Sequence, residues 1–154
     1  LFIRDSGFRE TLLVDLGSAD RALHNGEWKA ATVLGGSIIE ALLLWTIQQY
    51  APSEVEAAIG RAAGSGKVSA HLPPTDLVAR DWTLHQYIEV ARELGEIKEH
   101  TVNPCREAKY YRNLIHPAAA ERDKEKCTRG KAHATLGAVY STIDDLQDEH
   151  PAAS

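Results

Sequence analysis

Apolar residues recur along most of this chain at steps of three and four, the spacing of one face of an α-helix. Between residues 5 and 24, Phe8, Leu12, Leu13, Leu16, Ala19 and Leu23 form such a stripe, with Asp and Arg between them, and Asn25-Gly26 ends it. The next stretch, 27–50, is different. Its run WKAATVLGGSIIEALLLWTIQQY is apolar on every side, which predicts the central helix of a bundle. Lys29, Glu40, Gln48 and Gln49, with Gly35-Gly36-Ser37 inside, make it a poor membrane span, because a carboxylate in mid-helix is costly in lipid. We read it as soluble core. The two glycines each cost about 1 kcal/mol relative to Ala in a helix. Their predicted use is a close helix approach, within the bundle or across a dimer.

Ala51-Pro52-Ser53 is a break, with Ser53 as an N-cap and Glu56 completing a capping box for a short helix to about Ala63. Residues 63–76, AGSGKVSAHLPPTD, read as a linker. Gly64-Ser65-Gly66-Lys67 is no phosphate loop, since Arg61 stands where the first glycine belongs and Val68 follows the lysine. From about Thr75 the helical pattern returns through Leu77, Trp82, Leu84, Tyr87, Ile88, Ala91 and Leu94, with a kink near Arg80-Asp81 and Gly95 closing it. Trp82 and Tyr87 are either a recognition surface or core, and aromatics at helical spacing usually join the core.

Residues 101–116 form the next predicted helix. Pro104 falls in its first turn, Ala108, Tyr111 and Ile115 make its inner face, and Leu114 lies beside them. Pro117–Cys127 is polar and reads as a loop or a frayed turn. Thr128 caps a last helix, 129–147, that buries Ala132, Leu136, Val139, Tyr140, Ile143 and Leu146. No strand pattern or internal repeat is visible. The fold class predicted is all-α, an up-and-down bundle of about five to six helices. It forms a single domain over residues 1–150, with 151–154 a disordered tail. The first residue is Leu, so the domain is read as a candidate piece of a longer protein.

Composition narrows the function classes. The 154 residues carry a net charge of −5, which argues against a dedicated nucleic-acid coat. The charge is uneven, however. From Lys98 to Lys131 nine basic residues face five acidic ones, a net +4, which leaves −9 on the remainder. Such asymmetry marks either a polyanion-facing surface on an acidic body or a solvated helical segment of mixed charge. Cys105 and Cys127 show no C-x-x-C spacing, which points to a reducing, cytoplasmic setting and not to a metal site or a disulfide framework. No metal and no cofactor is expected.

The candidate chemistry lies in CREAKYYRNLIHP, residues 105–117. Arg112 and His116 are four apart, so on a continuous helix they share a face, with Asn113 beside them. The residue before a proline is biased out of the α region, so the helix is expected to end at or near His116. A cation, an amide and an imidazole at an exposed helix end can bind a phosphate and move a proton. They can equally be a polar helix terminus with local hydrogen bonds. Lys109 and Tyr111 flank the cluster. Glu40, a carboxylate in the most apolar helix, needs a partner such as Arg112 unless it faces a strip of solvent. His133, in the first turn of the last helix, approaches His116 if those helices form a tight hairpin.

RNLIHP on a charged, aromatic-containing helix, with ATVLGGSIIEALLL upstream, resembles the HEPN superfamily of prokaryotic helical domains. The resemblance covers most of residues 26–147 in helix order, and its motif-like parts are RNLIHP and the Ser37–Glu40 region. Arg112 and Asn113 match the family's Arg-Asn pair, whereas the family's histidine follows after a longer interval than the three residues present here. The resemblance implies a four- or five-helix bundle, frequently a homodimer, and often a metal-independent ribonuclease of toxin–antitoxin, phage-defence or CRISPR systems. By that resemblance His116 would take the proton of a ribose 2′-hydroxyl attacking the adjacent phosphodiester. Arg112 would stabilise the transition-state charge and Asn113 would hold the phosphate or orient the histidine. The product end would be a 2′,3′-cyclic phosphate. Other members with this fold are non-catalytic dimerisation or partner-binding modules. Binding of a nucleotide or small anion at the same cluster is a third expectation.

Overall fold

The computed structural model describes residues 3–68 and 82–150. Among them the chain forms seven helices and no strand: α1 (Ser6–His24), α2 (Trp28–Ile47), α3 (Pro52–Gly64), α4 (Leu84–Leu94), α5 (Glu99–Asn113), α6 (Pro117–Asp123) and α7 (Arg129–Glu149). The all-α prediction holds, with one helix more than expected.

The hydrophobic pattern explains the layout. Helix α2, apolar all round, packs against α1, α4, α5 and α7 at once, and its Ile38, Ile39, Leu42 and Leu43 are fully buried. Each such side chain contributes roughly 2 kcal/mol of burial. By length and composition α2 could cross a bilayer, with mean hydropathy 1.7, but 56% of it is buried in the bundle.

The two glycines of α2 are used inside the bundle. A Cβ on Gly35 would lie 2.7 Å from Thr135 Cγ2 of α7, and one on Gly36 would lie 2.8 Å from Arg112 Cδ of α5. These positions are therefore the points where α7 and the Arg112 side chain come closest to α2.

Local signals set most helix ends. Asp5 Oδ1 accepts from Phe8 N at 2.8 Å to start α1, and Thr128 Oγ1 accepts from Lys131 N at 3.4 Å to start α7. Gly95, with φ +84°, ends α4. The expected N-cap at Ser53 is corrected. Pro52 takes the first helical position, where its missing donor is harmless, and Glu54 Oε2 accepts from Ala51 N at 3.0 Å. Ala63 and Gly64 end α3 instead of opening a loop.

Helix α4 begins at Leu84, because Trp82 and Thr83 are not helical. A Thr83–Gln86 capping box starts it, with Thr83 N donating to Gln86 Oε1 at 2.7 Å. The expected start near Thr75, Leu77, the Arg80-Asp81 kink and the 151–154 tail lie outside the described residues. Trp82 and Tyr87 are core, as their spacing implied.

Helix α5 starts at Glu99, two residues earlier than predicted, so Pro104 sits inside it and not in its first turn. Asp145 of α7 holds this helix start, with Oδ2 accepting from Lys98 N at 2.8 Å. Val102, Cys105, Ala108 and Leu114 are the buried apolar residues here, while Tyr111 and Ile115 are only half-buried. The polar segment after Pro117 is also not a loop. Pro117 opens α6, three alanines propagate it, and Lys124 closes it with φ 54°. On α7 the expected inward Tyr140 is 46% exposed, and its hydroxyl donates to the Asp20 carboxylate.

Candidate functional site

The C-terminal turn of α5 positions the Arg-Asn pair. Helix α5 ends at Asn113, and Leu114, Ile115 and His116 each donate to the carbonyl three residues back, at 3.1, 3.3 and 3.2 Å. This tightening follows from Pro117, which drives His116 into extended backbone (ψ 123°) and stops the helix short of it. Arg112 and His116 are therefore not one turn apart on a common helix face, and the expected shared face is corrected. His116 is instead the exposed N-cap residue of α6.

Arg112 runs back across α2. Its stem passes over Gly36, and its Nη1 donates to Glu40 Oε2 at 2.6 Å. Gly36 and Glu40 are one turn apart on α2, so one residue admits the stem and the other holds its tip. The anticipated Glu40–Arg112 pairing is thus present. Both side chains keep about a third of their surface in water (31% and 35%), so the pair itself is worth about 1 kcal/mol or less.

Around this pair lies an open cleft of ≈ 480 Å³ lined by Glu40, Thr83, Leu84, His85, Lys109, Arg112 and Asn113. Lys109 and Asn113, four apart on α5, share a helix face. Neither side chain has a hydrogen-bond or ion-pair partner among the described residues. The cleft therefore offers a partnerless ammonium and a partnerless amide beside a guanidinium whose carboxylate contact is partly hydrated. Such donors suit a phosphate or phosphodiester.

Two expected members lie elsewhere. His116 does not line the cleft. Tyr111 turns toward α7, with Lys131 Nζ 5.6 Å from its ring centroid, and burial raises its pKa. His133 does not meet His116. It lines a separate depression with Asp20, His24, Trp28 and Arg129.

Two cleft residues escaped the sequence reading, Thr83 and His85. The signal that could have found them is TLHQ, residues 83–86, a capping box that starts a helix and places its first residues at an exposed end. Beneath His85, Glu89 is 1% exposed and takes both Arg106 Nε and Nη2, at 2.8 and 2.9 Å. His85 Nε2 lies 2.7 Å from the Lys67 carbonyl, and its Nδ1 lies 3.8 Å from Glu89 Oε1.

Among the described residues no group of three or more His, Cys, Asp or Glu side chains could hold a metal ion. Cys105 and Cys127 are both free thiols. Burial pushes the Cys105 thiol up to about 11, which keeps it protonated and unreactive at neutral pH. Comparison of the chain with protein-family models, with curated proteins and with solved structures gave no match in any of the three.

Proposed function

We propose that this chain is a HEPN-like cytoplasmic domain that binds single-stranded RNA through its phosphodiester backbone, as a homodimer, at the cleft between α2, α4 and α5. The observation that carries the reading is the convergence of Lys109, Arg112 and Asn113 on one cleft, with the first and last free of partners among the described residues. The net +4 of the segment from Lys98 to Lys131 supports it by concentrating cations on an otherwise acidic body. Binding without cleavage fits best, because a general base must reach the 2′-hydroxyl of the bound nucleotide, His116 stands outside this cleft, and the ring nitrogens of His85 face the Lys67 carbonyl and Glu89.

A second reading is favoured by one specific contact. Glu40 already occupies part of Arg112 within the same chain, as expected of a structural arginine in a non-catalytic dimerisation module.

The test is incubation of the protein, the Lys109→Ala/Arg112→Ala double variant and the His116→Ala variant with mixed-sequence single-stranded RNA in EDTA. Affinity and cleavage ends are both scored. On the binding reading the double variant weakens RNA affinity about tenfold or more and no protein cleaves. Wild-type cleavage lost in His116→Ala, leaving 2′,3′-cyclic phosphate ends, would replace it with a metal-independent ribonuclease. A folded dimer that neither binds nor cleaves would leave the structural module.

A further inference from the structure

The imidazole that belongs to the Arg112 cleft comes from α4. We infer that His85 is the charge-switching residue of this cleft, coupling RNA affinity to protonation through its field while its ring nitrogens stay on protein acceptors. The inference rests on the proposed RNA-binding reading and names a residue and a regulation that the Arg-Asn cluster does not suggest.

The hydrogen-bonding partners carry the argument. The Lys67 carbonyl, 2.7 Å from Nε2, can only accept, so Nε2 must carry a proton. On the other side, Nδ1 faces a Glu89 carboxylate oxygen at 3.8 Å, and an ionised carboxylate also only accepts. Neutral His85 therefore turns a lone pair toward a carboxylate, whereas the imidazolium turns an N–H to each acceptor. Ring flipping offers no relief, since both neighbours are acceptors.

The charged groups around the ring set the sign. On its own helix there is Glu89, whose two oxygens are held by Arg106 of α5. Across the cleft stand Lys109 and Arg112 of α5 and Glu40 of α2, and Lys67 supplies its carbonyl from the chain after α3. Among the described residues, Lys109 and Arg112 against Glu40 leave the cleft lining at net +1, and a protonated His85 makes it +2. The backbone phosphodiester keeps its single negative charge throughout the range where histidine titrates. A proton gained by His85 thus strengthens the field on the ligand without changing the ligand.

The probe is a 5′-hydroxyl oligouridine, followed by fluorescence anisotropy at fixed ionic strength at about pH 5.5 and pH 8, with wild type, His85→Gln and His133→Gln. Glutamine can still donate to the Lys67 carbonyl but cannot become charged. Wild type is expected to bind about three- to tenfold more tightly at the lower pH, the effect of one added charge several ångströms from a phosphate in a hydrated cleft. His85→Gln should lose that dependence. His133→Gln, in its separate depression, should behave as wild type. Equal pH dependence in wild type and folded His85→Gln would overturn the assignment, as would pH-independent binding by wild type. Absence of RNA binding at both pH values would overturn the RNA reading and this one together.

Discussion

Helix α5 carries two arginines six residues apart, and each meets a glutamate on a neighbouring helix. Arg106 grips Glu89 of α4 through two nitrogens, and that carboxylate is 1% exposed. Arg112 touches Glu40 of α2 through one nitrogen, and both partners remain about a third exposed. The chemistry of the two pairs is the same and the consequences differ. A buried carboxylate has no water to take its arginine's place, so that arginine is committed to the fold. A hydrated pair exchanges partners at small cost, so its arginine remains available to a ligand. The difference marks Arg112, not Arg106, as the arginine a phosphate can recruit.

The largest effect expected from breaking this comparison is at the buried pair. Arg106→Ala strands Glu89 without its cation and should cost about 3 kcal/mol in urea unfolding. Replacing both partners with apolar residues (Arg106→Met/Glu89→Leu) should recover part of that loss, because no charge is then left buried.

Next come the adjacent glycines. Gly35→Ala forces its Cβ against Thr135, a β-branched side chain on α7, and should cost about 1–2 kcal/mol even after the gain in helix propensity. Gly36→Ala meets only the flexible Arg112 stem. It should cost less than about 1 kcal/mol and appear instead as weakened RNA binding. Equal unfolding midpoints for the two variants would remove the distinction between a packing contact and a site contact.

The smallest stability effect is expected at Glu40. Glu40→Gln should change unfolding free energy by less than about 1 kcal/mol. It should also tighten RNA binding, since it frees Arg112 and removes the one carboxylate among the described residues of the cleft lining. Weaker binding in that variant would mean that Glu40 holds Arg112 in its working position, which would bring the two pairs closer in kind than their exposure suggests.

Much of this was legible in the chain. The cap at Thr128, the all-apolar α2 and the closing Gly95 are local signals read by local backbone, and each appears where expected. The Glu40–Arg112 pair followed from the cost of a carboxylate in an apolar helix. The errors have physical reasons too. Pro117 was read as an end and is also a beginning, since its fixed φ suits the first turn of α6 as well as it stops α5. Pro104 was placed in a first turn by its local preference, whereas packing of α5 on α7 and the Asp145 contact carry the helix start back to Glu99.

The sequence by itself determined that this protein is helical, which helix is central, and that an arginine and an amide stand together near a helix end. Those properties depend on periodicity, on caps and on neighbours within one turn. Only the tertiary structure decided which imidazole shares space with that arginine. His116 is four residues away along the chain, yet a proline turns the backbone out of the α-helix between them, whereas His85 is brought in by the packing of α4 against α2 and α5. Nearness in sequence fixes distance only while the backbone stays regular, and here it does not.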